Sequence, residues 1–289
     1  MKITNPFEQP GQWFKANLHT HTTNSDGDTP PAERVAQYRE AGYNVLALSD
    51  HRTVTEIEEL NSKDLLLIRS FEGHPPCLTG PIYHLLCLNV PKGFEYEEMP
   101  ANDMIAKVNA VGGAVFVAHP YWCGRTVAQI LALEGIVGLE VFNSTCGKIG
   151  KADSSVHWDY VLAAGRTLPA IAVDDVHCER DRFLGWTMIK AEELTTEAIM
   201  QAVRTGSYYA TSGPEIKDCR MNEGVVTFEC SPAREIHFHC RNSSGRSFYA
   251  DDGELFTKVE FQPSATATYV RATVVDERGH RAWTNPIVF

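Results

Sequence analysis

Two short apolar runs near the start of the chain each stop at polar side chains suited to holding a cation, and no other feature limits the fold as much. The first run, with Trp13, Phe14 and Leu18, ends in His19-Thr20-His21. The second covers 43–48 and ends in Ser49-Asp50-His51. Side chains two apart on a strand point to one side, so His19 and His21 reach toward one place. Asn24 to Asp28 is turn chemistry, which folds the Asp26 carboxylate back over the strand end. Strand ends that must meet at one point call for an architecture that makes them converge.

The rest of the chain repeats the pattern. A helix is expected from Thr29, as N-cap with Pro30 in first position, to Gly42, and a short one over 54–60. An apolar strand leads through Phe71 to Glu72, with His74 just beyond, and another covers 83–88 and contains His84. Helix 102–111 precedes strand 114–118, which runs into His119-Pro120. Helix 126–134, strand 138–142 ending at Asn143, helix 154–164 and strand 170–173 follow, the last ending in Asp174-Asp175-Val176-His177. Alternating strands and helices predict an α/β fold with a mainly parallel sheet, closed as a barrel because the candidate ligands sit at strand C-terminal ends. A last helix is expected over 196–204. After Gly213-Pro214 the stretches 225–230, 235–240, 268–275 and 282–284 alternate polar and apolar residues between turns. That pattern predicts a small antiparallel β-sandwich. The expected division is therefore 1–212 and 213–289.

Composition removes several function classes. The 289 residues carry a net charge of −11, which argues against a general nucleic-acid polymer or anionic-membrane surface. A small phosphorylated substrate remains compatible, since bound cations reverse the local sign. The segment 1–6 has no apolar signal core, and no apolar run approaches membrane-spanning length. The eight cysteines form no Cys-x-x-Cys pair. They read as reduced thiols, which makes a cytoplasmic location the expectation.

Collecting the strand-end residues gives His19, His21, Asp26, His51, Glu72, His84, His119, Asp175 and His177, six imidazoles and three carboxylates. This nitrogen and oxygen set suits two or three Zn²⁺, Mn²⁺ or Fe²⁺ ions, with Glu72 as the natural bridge. Adjacent ions acidify a shared water and clamp a displacement at phosphorus. Phosphate recognition needs further cations, and Arg52 and Arg125 are best placed, followed by Lys148, Arg180 and Arg182. His74 reads as a loop residue, with a spare ligand or proton donor as the alternative. His237 and His239 read as the wet face of a strand without carboxylate partners, and His157 and His280 as surface. Cys123, Cys146 and Cys178 read as small packing residues rather than soft ligands.

The motifs His19-Thr20-His21-Thr22, Ser49-Asp50-His51, Glu72, His84 within Tyr83-His84-Leu85-Leu86, Ala118-His119-Pro120 and Asp175-Val176-His177 resemble those of the PHP superfamily. That superfamily of phosphoesterases is shared by bacterial replicative polymerases and histidinol phosphatases. The resemblance covers roughly residues 13–212. It implies a distorted (β/α)7 barrel with a trinuclear site. By position, His19, His21, Glu72 and Asp175 hold one metal, and His51 holds the second with Glu72 as bridge and His84 nearby. Asp26, His119 and His177 complete the cluster. Ser49 stands where Thr is frequent, and Asp174 where Ser is common. The expected activity is hydrolysis of a phosphomonoester of a small metabolite or nucleotide by a metal-bridging hydroxide, with Glu72, His51, Arg52 and Arg125 at the reacting centre. The alternatives are hydrolysis of a carbon ester, lactone or amide, or a binding or assembly role carried by the β domain. A homo-oligomer is compatible with both.

Overall fold

The computed structural model describes residues 3–60 and 64–289. Met1 and Lys2, the first residues of the segment read for a signal, lie outside the described residues. Nine strands come first: β1 Gln12–Asn17, β2 Val45–Leu48, β3 Leu66–Gly73, β4 Leu85–Leu88, β5 Ala114–Val117, β6 Gly138–Asn143, β7 Ala170–Val173, β8 Trp186–Ala191 and β9 Tyr208–Thr211. Five helices intervene: α1 Pro31–Glu40, α2 Ala101–Ala110, α3 Val127–Leu131, α4 Ser155–Ala163 and α5 Thr196–Thr205. Eight further strands follow: β10 Ile216–Asn222, β11 Val225–Ala233, β12 Glu235–His239, β13 Gly245–Tyr249, β14 Phe256–Phe261, β15 Tyr269–Val275, β16 Arg281–Thr284 and β17 Ile287–Val288.

The result is a mixed α/β fold. β1–β2–β3 and β5–β6–β7 pair in parallel, but β4 lies antiparallel between β3 and β5. β1 to β7 are thus mainly parallel, as expected, with β4 the one reversed member. No helix forms between β3 and β4, so the proline-bearing loop 74–84 returns the chain alongside itself. The two outer strands meet past their ends, where Thr20 bridges Val176 in parallel and the Asp175 amide donates to His19 O at 2.9 Å. β2, β4, β5 and β7 are buried along their whole length, which explains their unbroken apolar runs.

Some local expectations change. α1 begins at Pro31 with Pro30 as N-cap, because the Thr29 hydroxyl donates to Asp28 Oδ1 at 2.7 Å instead of capping. No α-helix forms over 54–60: Thr55 is held by Asp50 Oδ2 at 2.5 Å, and Val54, Thr55 and Ile57 are β-branched. Strands β8 and β9, an antiparallel hairpin around α5, were not expected. β8 pairs β1 antiparallel, and β9 pairs β16. One sheet thus runs on through β16, β15, β12 and β13, across the boundary expected near 213. A three-stranded sheet, β10–β11–β14, packs on that continuation through Phe228, Phe238, Phe261, Val270 and Val274.

Candidate metal centre

The ends of five parallel-running strands and the start of the antiparallel one meet at a single place. His19 and His21 extend β1, His51 follows β2, and Glu72 is the penultimate residue of β3. His84 precedes β4, so it reaches the site from the N-terminal side of its strand. His119 follows β5, and Asp175 and His177 follow β7. Three backbones here take left-handed torsions that L-residues rarely adopt, with φ of 27° at His119, 54° at Asp175 and 56° at Arg52. Each costs on the order of 1–3 kcal/mol and persists where the surroundings dictate it.

Glu72 is the hub. Its Oε1 lies 2.7 Å from His84 Nδ1 and 3.2 Å from His119 Nε2. Its Oε2 lies 2.7 Å from His51 Nδ1, 3.5 Å from His19 Nε2 and 3.6 Å from His21 Nε2. Asp175 Oδ1 stands 2.9 Å from His21 Nε2 and 3.2 Å from His19 Nε2. Asp26, 57 % exposed, places Oδ1 3.4 Å from His177 Nε2 and 3.5 Å from His51 Nε2. All nine residues gathered from the sequence therefore converge.

A second layer orients them. Glu140, fully buried on β6, sets Oε1 2.6 Å from His19 Nδ1, and its Oε2 accepts from the His119 amide at 2.8 Å and from Asn143 Nδ2 at 2.9 Å. Asn143 also donates to Asp175 Oδ2 at 3.1 Å. Asp50 accepts from the Thr22 amide at 2.7 Å and from the Ser25 hydroxyl at 2.8 Å, fixing the turn that carries Asp26. Buried Arg34 supports the same turn by donating to His21 O at 3.1 Å and Asp28 Oδ1 at 2.9 Å.

The electrostatics follow from this crowding. Burial disfavours a charged His19, but Asp175, Glu140 and Glu72 outweigh it and raise the imidazole well above its ordinary value. His119 is likewise raised against burial, by Cys123 and Glu72. His21 is equally buried and also feels His19, and it falls to about 4 despite Asp175. The imidazoles around Glu72 and Asp175 hold both carboxyls low against a burial that alone would raise them.

The donor set fits divalent cations. Glu72 Oε2, Asp175 Oδ1 and His51 Nδ1 are buried without a hydrogen-bond partner. His19 Nε2 and His21 Nε2 face each other at 3.1 Å. Lone pairs brought together and left unsatisfied are unfavourable unless positive charge lies among them. Imidazole and carboxylate donors without thiolates match Zn, Mn or Fe.

The candidate cations lie at different distances. Arg52 is exposed beside His51 and has no ion-pair partner among the described residues. Arg125 is not brought to the cluster: it is buried, donates to the carbonyls of Pro81 and Ile82, and lies 4.5 Å over the Tyr83 ring. Arg180 and Arg182 pair with Asp181 and Glu179. One site residue escapes the reading by sequence, and a second, His74, reads there as a loop residue with a ligand role as the alternative. Glu140 had one available signal, a lone charge in an apolar strand. His74, expected in a loop, turns its Nε2 to within 3.7 Å of Glu72 Oε2. On β12, His237 does have a carboxylate neighbour, Glu235 Oε2 at 3.0 Å, because the strand period puts both on one face. Cys123 Sγ sits 3.3 Å from His119 Nδ1, and all eight cysteines are unbridged.

No family model matches the sequence, and no curated protein does. Among solved structures, the chain is similar to a two-domain protein of Bacteroides vulgatus containing a predicted PHP-like metal-dependent phosphoesterase, with a TM-score of 0.56 and 15 % identity over 99 % of both chains. A lesion-specific endonuclease of Pyrococcus furiosus matches at a TM-score of 0.49 and 17 % identity, over 67 % of this chain and 56 % of that one. At 15 % identity the likeness to the first is one of fold. No helix among the described residues is long and apolar enough to cross a membrane.

Proposed function

We propose that this chain, whose fold is that of a PHP-like metal-dependent phosphoesterase, is a metal-dependent phosphatase that releases phosphate from a small metabolite or nucleotide. The observation that carries the reading is Glu72, each of whose oxygens lies 2.7 Å from an imidazole of a different strand. His19, His21, Glu72 and Asp175 hold one ion. His51 holds a second with Glu72 and His84, and Asp26, His119 and His177 complete a set of two or three Zn, Mn or Fe. Such ions supply an acidified water and offset charge on phosphoryl oxygens. Arg52, free at the rim, binds the phosphate from outside. Arg125 acts at one remove, by holding the 81–82 backbone just ahead of His84.

Residues 1–212 carry the chemistry, and 213–289 form an accessory β domain that serves assembly into a homo-oligomer. The unbridged cysteines support a cytoplasmic setting, and the net charge of −11 supports a small substrate over a nucleic-acid polymer or membrane. Activity on p-nitrophenyl phosphate and p-nitrophenyl acetate, measured before chelation, after it and after adding back Zn, Mn or Fe, tests the proposal. Metal-restored phosphate release is expected. Turnover of the acetate alone moves the reading to carbon esters, and no turnover with any ion overturns it.

A further inference from the structure

We propose that His74 is a further ligand of this centre, holding one divalent ion together with His51 and Glu72. The inference rests on the proposed metal centre and is independent of the reaction performed there. β3 runs to Gly73, and His74 lies two residues after Glu72, so the strand period puts both side chains on the inner face. The same spacing joins His19 to His21 and Asp175 to His177. Glu72-x-His74 is the third such pair at a converging strand end.

Local backbone chemistry keeps it there. Pro75 follows and restricts His74 to extended backbone, which continues the alternation of β3 past its last ladder residue. The Tyr83 amide donates to Pro75 O at 2.9 Å and ties the loop down immediately beyond. The His74 ring packs 4.2 Å from His84 and 4.6 Å from His51 between centroids.

The decisive feature is what the imidazole lacks. The side chain is 9 % exposed, and Nε2 is buried with no hydrogen-bond partner. His51 Nδ1 and Glu72 Oε2 share that condition. A histidine serving only as loop packing would turn this nitrogen to water or to a carbonyl. Nε2 instead stands 3.7 Å from Glu72 Oε2, which is itself 2.7 Å from His51 Nδ1. One donor atom from each of the three lies within 4.8 Å of the others. Donors at about 2.0–2.2 Å from a common ion stand at most about 4.4 Å apart, and the 3.7 Å from His74 Nε2 to Glu72 Oε2 and the 2.7 Å from Glu72 Oε2 to His51 Nδ1 fall inside that limit.

The test is metal retention. The full-length wild type and His74→Ala are loaded with Zn²⁺ or Mn²⁺ and dialysed against graded chelator. Bound metal is counted by inductively coupled plasma mass spectrometry, and the visible spectrum of the Co²⁺-loaded proteins is recorded. For the variant we expect one equivalent to leave first, with an affinity loss beyond the roughly 10–100-fold that an outer-shell partner costs, and an altered Co²⁺ spectrum. If His74→Ala does not fold, as judged by circular dichroism, His74→Gln of similar volume takes its place. A variant with wild-type stoichiometry, affinity and spectrum overturns the inference, even if its turnover falls, because His74 then acts as a wall or proton donor. A wild type that retains no metal overturns the proposed centre itself.

Discussion

Replacing Glu140 by Gln changes one atom in the layer behind the candidate centre, and the structure sets the expected size of the effect. The carboxylate is fully buried and accepts from three donors: His19 Nδ1 at 2.6 Å, the His119 amide at 2.8 Å and Asn143 Nδ2 at 2.9 Å. Accepting at His19 Nδ1 puts the proton there and leaves the Nε2 lone pair facing Asp175 and Glu72. A glutamine has one accepting oxygen and one donating nitrogen. If its oxygen stays on His19, its NH₂ faces the His119 amide, donor against donor. If it flips, the NH₂ faces Nδ1 and moves the His19 proton to Nε2, where the cation should bind. Two contacts fail in the first orientation, at the His119 amide and at Asn143 Nδ2, and one in the second, at about 1–3 kcal/mol for each buried unpaired group. For a chain of this size that lowers the melting temperature of the chelated protein by roughly 2–4 °C per kcal/mol. Affinity for the ion on His19 should fall about 10–100-fold, as for other outer partners of metal-binding histidines. Thermal unfolding of the chelated protein reads the first effect, and competitive chelator titration reads the second. A Glu140→Gln protein with wild-type metal affinity refutes the orienting role, and one with unchanged melting temperature as well refutes the buried hydrogen-bond pattern.

Three other predictions concern His239 in acid, the contact between β15 and α4, and the charge of Asp175 at the candidate centre. Burial first, and then the neighbouring Arg271, His237 and Arg281, depress His239 to about 3. Its contribution is then complete above about 6.5 and is lost as pH falls toward 3, because the unfolded chain takes up a proton that the folded chain refuses. In urea unfolding between pH 5 and 6.5, His239→Gln should flatten the pH slope by up to about 1.4 kcal/mol per unit, and parallel slopes would contradict it. Arg271, buried on β15, donates to Asp159 of α4 through Nε at 2.8 Å and Nη2 at 2.5 Å. Asp159→Ala leaves that charge with the Thr273 hydroxyl and the face of the Trp158 ring, 4.7 Å away. The cost should be about 2 kcal/mol, below the roughly 3–5 of a fully buried pair because Asp159 is 38 % exposed. Metal content should not change, so a variant that loses metal would show the junction to be coupled to the centre. Asp175→Asn removes the charge facing His19 and His21 and should abolish binding of the ion they share, read as one missing equivalent in the metal count.

The convergence of nine residues was legible because two local rules suffice to read it. Period-two alternation pairs His19 with His21 and Asp175 with His177, and apolar runs that stop at polar side chains mark the ends of buried strands. The direction of each strand was not legible. Nothing in 83–88 distinguishes a strand that enters the site from one that leaves it, and His84 serves equally well from either end. The reversal is decided by the loop before it, which forms no helix and therefore cannot cross over. The missed hairpin β8–β9 has the same origin, since its partner β1 lies over 150 residues earlier in the chain and β16 lies 70 later. Local pattern carries no information about such partners.

Adjacent polar residues at a strand end divide between two environments, and this is why the second layer was harder to see than the first. Asp175 faces the imidazoles, whereas Asp174 accepts from Tyr38 and from the amides of Phe183, Leu184 and Gly185. His51 faces Glu72, whereas Asp50 ties down the turn carrying Asp26. Composition treats the members of each pair alike, and only the phase of the strand separates them. For Asp175 that phase was available from His177 two residues on. For Glu72 the same rule points to His74, and the proline after it, which suggested a loop, in fact prolongs the extended backbone. Glu140 has no such partner two residues away. Its signal is of another kind: a full charge within Gly138-Leu139-Glu140-Val141-Phe142, a strand otherwise without polar side chains until Asn143. A buried carboxylate is tolerated only where donors meet it. An isolated charge in an apolar parallel strand therefore marks the place where a functional side chain, here His19, is held from behind.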